Sequence, residues 1–134
     1  MSLVFADSGA TDVLGLVKSG SADYTLFLFA TNVTPARAST VASFTEAAGG
    51  GYAAKTLTMA SATVGDDGSG NQCLYWGTQT FTFTDALTTN PIIYGYGIKR
   101  GTVLIAAELT PQFQPEAGTG GNWVITPKIP IKSA

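Results

Sequence analysis

Along most of this chain apolar and polar residues alternate with a period of two, the mark of half-buried strands, and one stretch departs to a helical period. In Ala10 to Lys18, the residues Ala10, Val13, Leu14 and Val17 fall at i, i+3, i+4 and i+7 on one helical face. Asp7 or Ser8 is placed to cap its first N–H groups, Lys18 suits the negative end of its dipole, and Ser19-Gly20 stops it. Tyr24 to Ala30 is apolar on both alternating faces, which predicts a strand covered on two sides near the centre of a sheet.

Asn32-Val33-Thr34-Pro35 breaks that strand, and Ala38 to Ala48 reads as a loop with a helical turn. Ser43 and Glu46 have capping-box spacing, Val41 and Phe44 are placed to pack inward, and Gly49-Gly50-Gly51 ends the segment. Strand character resumes over Tyr52 to Val64, where Lys55, Leu57 and Met59 alternate with Thr56, Thr58 and Ala60. The acidic, glycine-rich run Asp66 to Asn71 predicts a turn.

Phe81 and Phe83 face one way and Thr80, Thr82 and Thr84 the other, as in a sheet with one buried and one wet face. Ile92, Tyr94, Tyr96 and Ile98 form an apolar face whose reverse, Gly95 and Gly97, is bare enough for a close neighbour. Lys99-Arg100-Gly101 predicts a hairpin turn returning as Thr102 to Leu109, with Val103, Ile105, Ala107 and Leu109 alternating. In the tail, Trp123, Ile125, Ile129 and Ile131 alternate with Val124, Thr126, Lys128 and Lys132, and Pro127 and Pro130 place this strand at a sheet edge or make it irregular. About eight short strands with one short N-terminal helix and no βαβ alternation predict an all-β fold. The expected architecture is an antiparallel β-sandwich or jelly roll in a single domain over residues 1–134.

Composition narrows the function classes. With 134 residues, 45% of them hydrophobic and 12% charged, the chain has the means to bury a core and too little charge for a linker or disordered tail. Seven Lys and Arg against nine Asp and Glu leave no basic stripe for phosphates, so DNA or RNA is not expected as a direct partner. The absence of histidine removes the commonest general base and metal ligand. No apolar run approaches the roughly 18 residues of a membrane span, and Met1 to Asp7, lacking a basic n-region, does not read as a secretory signal. Asn32-Val33-Thr34, a glycosylation triplet, is accordingly taken as chance. The single cysteine, Cys73, lies in the apolar run to Trp76 and reads as a buried, inert thiol.

Four groups carry candidate chemistry. Glu46, Glu108 and Glu116 are the glutamates from which a hydrolase would draw a carboxylate pair, but their contexts read as a cap, an outward strand position and a loop. Asp66 to Asn71 offers oxygen ligands for Ca²⁺ without the spacing of an EF-hand, and reads as a plain turn. Gly49-Gly50-Gly51 lacks the Lys-Ser/Thr of a phosphate loop. Trp76, Trp123, Tyr94 and Tyr96 are the residues available for an aromatic platform toward a sugar or protein, against the simpler role of core packing. On these grounds no catalytic, cofactor-binding or metal-binding residue is assigned, no cofactor is expected, and the chain is not expected to be an enzyme.

The run from Tyr24 to Pro35, then Ala42 to Ala47, Gly51-Tyr52, Thr80 to Thr84 and Ile93 to Tyr96, resembles small proteins of tailed-bacteriophage structural gene clusters. The resemblance spans roughly residues 1 to 110 and rests on strand and turn patterns. It implies a virion component made in the host cytoplasm, most simply a head decoration, or cement, protein bridging coat subunits. Tail, neck, fibre and receptor- or glycan-binding modules are the alternatives. It also implies the major capsid protein or other virion proteins as partners, with no membrane partner, and a homo-oligomer, a trimer before a dimer. Met1 to Ala6 and the Pro/Gly-rich Gln112 to Gly121 are the segments placed to reach a neighbour.

Overall fold

The computed structural model describes residues 6–20, 22–88 and 90–131. Its elements run α1 (Asp7–Gly20), β1 (Tyr24–Phe29), β2 (Lys55–Leu57), β3 (Thr63–Asp66), β4 (Gln72–Tyr75), β5 (Gln79–Phe83), β6 (Ile93–Arg100), β7 (Val103–Phe113), β8 (Gly121–Ile125) and β9 (Lys128–Ile131), with short 3-10 turns at Val41–Ser43 and Met59–Ser61. The fold is all-β with one short helix. Every strand pairing is antiparallel, in three sheets ordered β2-β1-β6-β7, β3-β4-β9 and β5-β8.

β1 is interior to the four-stranded sheet, as its two apolar faces predict. Tyr24, Leu26 and Leu28 enter a core shared by all three sheets, with Leu57, Leu74, Phe81, Phe83, Ile98 and Ile125. Phe27 and Phe29 turn to the other face and make a smaller cluster with Phe44, against which Leu104, Ala107 and Leu109 pack. They find room because Phe27 is paired with Gly97 and Phe29 with Gly95. A β-carbon at Gly97 would stand 2.5 Å from the tip of the Phe27 ring, and one at Gly95 would stand 2.5 Å from that of Phe29 and run into the Glu108 carbonyl. The close neighbour expected of the bare glycine face is therefore this pair of rings.

The hairpin is confirmed with its turn moved along by one residue. β6 continues through Arg100, which pairs with Val103, leaving Gly101-Thr102 as a two-residue loop. Gly101 has φ 57° and Thr102 does not have a positive φ, the combination a II′ turn with glycine first requires. The return strand outruns its expected end at Leu109 and reaches Phe113 through Pro111, with a register shift opposite Ile93 and Gly95. That shift also divides the expected face of Ile92, Tyr94, Tyr96 and Ile98: Ile93 joins the larger core and Tyr94 packs on the smaller cluster.

Other expectations need correction. The helix begins at Asp7, so Asp7 and Ser8 lie in its first turn, and it runs on through Ser19-Gly20. Ala10 and Leu14 are buried, whereas Val13 is 40% exposed, because the helix presents a stripe narrower than its apolar pattern. Tyr52 to Val64 is not one strand: β2 stops at Leu57 and a 3-10 turn carries Met59 inward, its N–H held by Asp23 Oδ1 at 2.9 Å. The capping box closes on Thr40 and Ser43, not on Ser43 and Glu46. The tail divides at Thr126-Pro127 into β8 and β9, which pair with β5 and β4 respectively. Lys132 and Met1 to Phe5 lie outside the described residues.

β1 outlasts its partner β2, and a loop completes its edge. Ala47 N–H donates to the Leu28 carbonyl (2.9 Å), Ala30 N–H to the Thr45 carbonyl (2.8 Å), and Leu28 N–H to the Tyr52 hydroxyl (3.1 Å). Removal of the Tyr52 oxygen leaves a part-buried N–H without its partner, a loss of about 1–3 kcal/mol. Tyr52→Phe is expected to lower the unfolding free energy by that amount in urea titration.

The two glycines under the rings give a second test. Overpacking costs about 1–3 kcal/mol where side chains can shift. Gly97→Ala, meeting only a ring, is expected within that range, and Gly95→Ala, meeting a backbone carbonyl, beyond it; the urea midpoints of the two variants provide the ranking.

Candidate functional site

A cleft opens beside β7. It encloses about 710 Å³ between the strand face bearing Tyr96, Ile98 and Ala106 and the opposing β8 residues Trp123 and Val124. β8 is held there by its pairing with β5, Phe81 opposite Trp123, and by Phe113 stacking on Trp123 with ring centres 6.2 Å apart and planes within 1°. Val124 is 56% exposed at the rim. A second groove of about 460 Å³ lies between Leu104 to Ala107 and the loop around Arg37. The 11-residue β7 is thus flanked by both grooves.

The charged groups at the larger cleft are Glu108, Asp67 and Lys128. Tyr96 donates its hydroxyl proton to Glu108 Oε2 at 2.6 Å, and burial, reinforced by the carboxylate, pushes the phenol above its usual range. Asp67 is engaged with its own turn, accepting from Ser69 N–H (2.7 Å), Asn71 N–H (3.2 Å) and Asn71 Nδ2 (3.2 Å). The Ser69 bond above all holds its carboxyl below the ordinary value. The cleft therefore combines an aromatic and aliphatic floor with carboxylates that already have partners, which suits docking of a surface more than proton transfer.

The sequence candidates disperse. Glu108 lines the cleft, but Glu46 accepts the Tyr52 proton on Oε1 (2.9 Å) and pairs with Lys99 on Oε2 (3.5 Å), and Glu116 closes its own turn with Gly120 and Thr119. Burial first, and then the Glu46 charge, raises the Tyr52 phenol. Asp66 accepts from Gly68 N–H at 2.7 Å, so both aspartates of the predicted turn brace backbone. Among the described residues no three His, Cys, Asp or Glu side chains converge to hold a metal. Cys73 is buried, and burial with the nearby Asp67 charge pushes its thiol up. Gly49 to Gly51 serves the fold, its segment bonding to Thr84 and Thr88.

The aromatic set also separates. Trp76 is core, its Nε1–H donating to the Thr58 carbonyl at 2.9 Å, and Tyr94 lies on the opposite cluster, leaving Trp123 and Tyr96 in the cleft. The loop Gln112 to Gly121 is tied down at its base, where β7 takes its first residues, Pro115 is buried and Gly118 N–H donates to Asp85 at 2.9 Å, while Glu116 to Thr119 stay exposed. Among the described residues no helix is long and apolar enough to cross a membrane. Comparison of the chain with protein-family models, with curated proteins and with solved structures finds no match.

Two turn carboxyls set an acid response. Gly118 N–H first, then Ala86 N–H, lowers Asp85, as Ser69 N–H lowers Asp67. A carboxyl with a folded pKa below its unfolded value of 3.8 stabilises fully above that value and loses the contribution as pH falls through the folded pKa. The urea midpoint is expected to drop as pH is lowered from about 5 toward 2, and the Asp67→Asn, Asp85→Asn double variant to show a shallower drop.

Proposed function

We propose that this chain is a virion structural protein of a tailed bacteriophage, serving as a capsid decoration protein that bridges neighbouring coat subunits. The observation that carries the reading is β7, which is half-buried or exposed along all 11 residues, has one edge unpaired among the described residues and is flanked by grooves. Such an edge is a template for pairing with another chain, and native proteins leave it open where a partner covers it. The resemblance of Tyr24 to Pro35 and Thr80 to Thr84 to phage structural proteins supplies the setting.

In this reading the protein acts by interface area, not by bond chemistry. It adds burial and hydrogen bonds across contacts between coat subunits that otherwise bear the pressure of packaged DNA. Its partner is the major capsid protein, its place is the virion, and it works as a homo-oligomer. We read the architecture as a β-sandwich, the four-stranded sheet forming one layer and the two smaller sheets the other; the core common to all three supports this. Trp123 and Tyr96 in one cleft favour, as a second reading, a glycan- or receptor-binding virion module.

Sedimentation of the purified protein with expanded empty capsids from its source tests the proposal. Saturable co-sedimentation is expected; protein left in the supernatant, together with signal on a glycan array, would move the assignment to the second reading.

A further inference from the structure

The strand register puts Glu108 on a face otherwise turned to the core. Leu28 is paired with Tyr96 and Tyr96 with Glu108, while Leu26 is paired with Ile98 and Ile98 with Ala106. Cross-strand partners share a face, and Leu26, Leu28 and Ile98 belong to the core common to the three sheets. Glu108 and Ala106 therefore continue the inner face of the four-stranded sheet, which corrects the outward position expected of Glu108. On β1 and β6 that face carries large apolar groups, whereas β7 adds a methyl and a carboxylate. The inner face is left unfilled there, and the space is the cleft of about 710 Å³ that Trp123 of β8 helps to line. Its size falls within the roughly 300–1,000 Å³ of small-molecule sites.

The polar groups around this space suit one kind of ligand. Tyr96 occupies Glu108 Oε2 at 2.6 Å and so holds the carboxylate, whose Oε1 has no partner among the described residues. Trp76 gives its indole N–H to the Thr58 carbonyl, but Trp123 Nε1–H has no acceptor and the Lys128 ammonium no ion pair among the described residues. One acceptor and two donors are thus uncommitted, beside a half-buried indole that Phe113 holds in place. Vicinal hydroxyls donate to a carboxylate and accept from an N–H through adjacent atoms, and the C–H face of a pyranose ring packs on an indole. An anion would meet Glu108 and Asp67 against one lysine, and among the described residues no three acidic side chains converge on a metal ion.

We propose that this cleft binds a neutral pyranose segment of a glycan. Trp123 is the stacking platform, Glu108 Oε1 accepts from a sugar hydroxyl, Lys128 and the Trp123 N–H donate, and the small Ala106 leaves room for the ring. Val124, 56% exposed, leaves the rim open, which fits a stretch of oligosaccharide more than an enclosed monosaccharide. The proposal rests on the second reading above, a glycan-binding module, and deepens it by naming the site and the class of sugar.

The test is a titration of the full nitrogen-15-labelled chain with maltohexaose, cellohexaose, mannohexaose and laminarihexaose, with sialyllactose as the charged comparison, followed by the indole N–H resonances in NMR. The Trp123 resonance is expected to shift saturably with at least one neutral oligosaccharide, at a Kd of about 1 mM or tighter, while that of Trp76, buried in the core, stays in place. Trp123→Phe, by losing one resonance, assigns the pair. Glu108→Ala removes the acceptor and Ala106→Phe fills the floor, and each is expected to weaken binding at least about tenfold. Arg37→Ala, on the other groove, is expected to leave binding unchanged. Thermal melts establish that each variant is folded. A Trp123 resonance unmoved by the neutral oligosaccharides, or moved by sialyllactose alone, overturns the proposal. Glycan binding that survives both Glu108→Ala and Ala106→Phe refutes the cleft and leaves the second reading standing; silence on a glycan array removes both.

Discussion

The contact on which the rest of the structure depends is that of Phe27 and Phe29 with Gly97 and Gly95 on the neighbouring strand. A strand apolar on both faces has to be covered twice. One face of β1 meets the common core, and the other lies away from it. Its rings are covered within the sheet, because β6 offers backbone without side chains where they lie. Phe44 then packs on Phe29 with centres 4.5 Å apart, and the Lys99 ammonium stands 5.1 Å above the Phe27 ring. Four residues of two strands thus decide where a loop docks and where a lysine is held.

From that docking follows the role of the segment between Thr45 and Tyr52. Phe44 is anchored on the rings, and the chain after it runs beside the part of β1 that β2 does not reach. It meets the backbone obligation of a buried strand with an amide, a carbonyl and a phenol. Glu46, which binds that phenol and Lys99, ties the loop to β6 as well. Its carboxylate is consequently structural, a role that neither capping nor catalysis anticipates.

What could be read from the sequence was what depends on adjacent residues. The alternation in Gln79 to Phe83, the doubly apolar Tyr24 to Phe29 and the hairpin around Gly101 all report burial set by neighbouring strands, and they reappear as β5, β1 and β6-β7. The failures share another cause. Met59 turns inward because Asp23, 36 residues away, holds its amide, and Thr58 stays near it because Trp76 binds its carbonyl. Periodicity carries no trace of such contacts. The cleft was legible in the same partial way: Trp123 and Tyr96 stood out as aromatic, but their opposition arises only because β8 pairs with β5 and not with β7.

β7 is the longest strand among the described residues, yet none of its residues is buried. That combination bears on how the molecule can be used. Apolar burial contributes about 25 cal/mol per Å², so Leu104, Ile105 and Leu109, half-covered in the single chain, carry apolar area whose further burial would stabilise any contact made there. The core drawn from β1, β4, β5 and β6 is already closed without it. In the decoration reading proposed above, folding and association are therefore separable: a core assembled within the single chain leaves its outer strand free to be covered without reorganisation. A component added to the outside of an existing particle requires that separation, because it arrives folded and binds by surface alone.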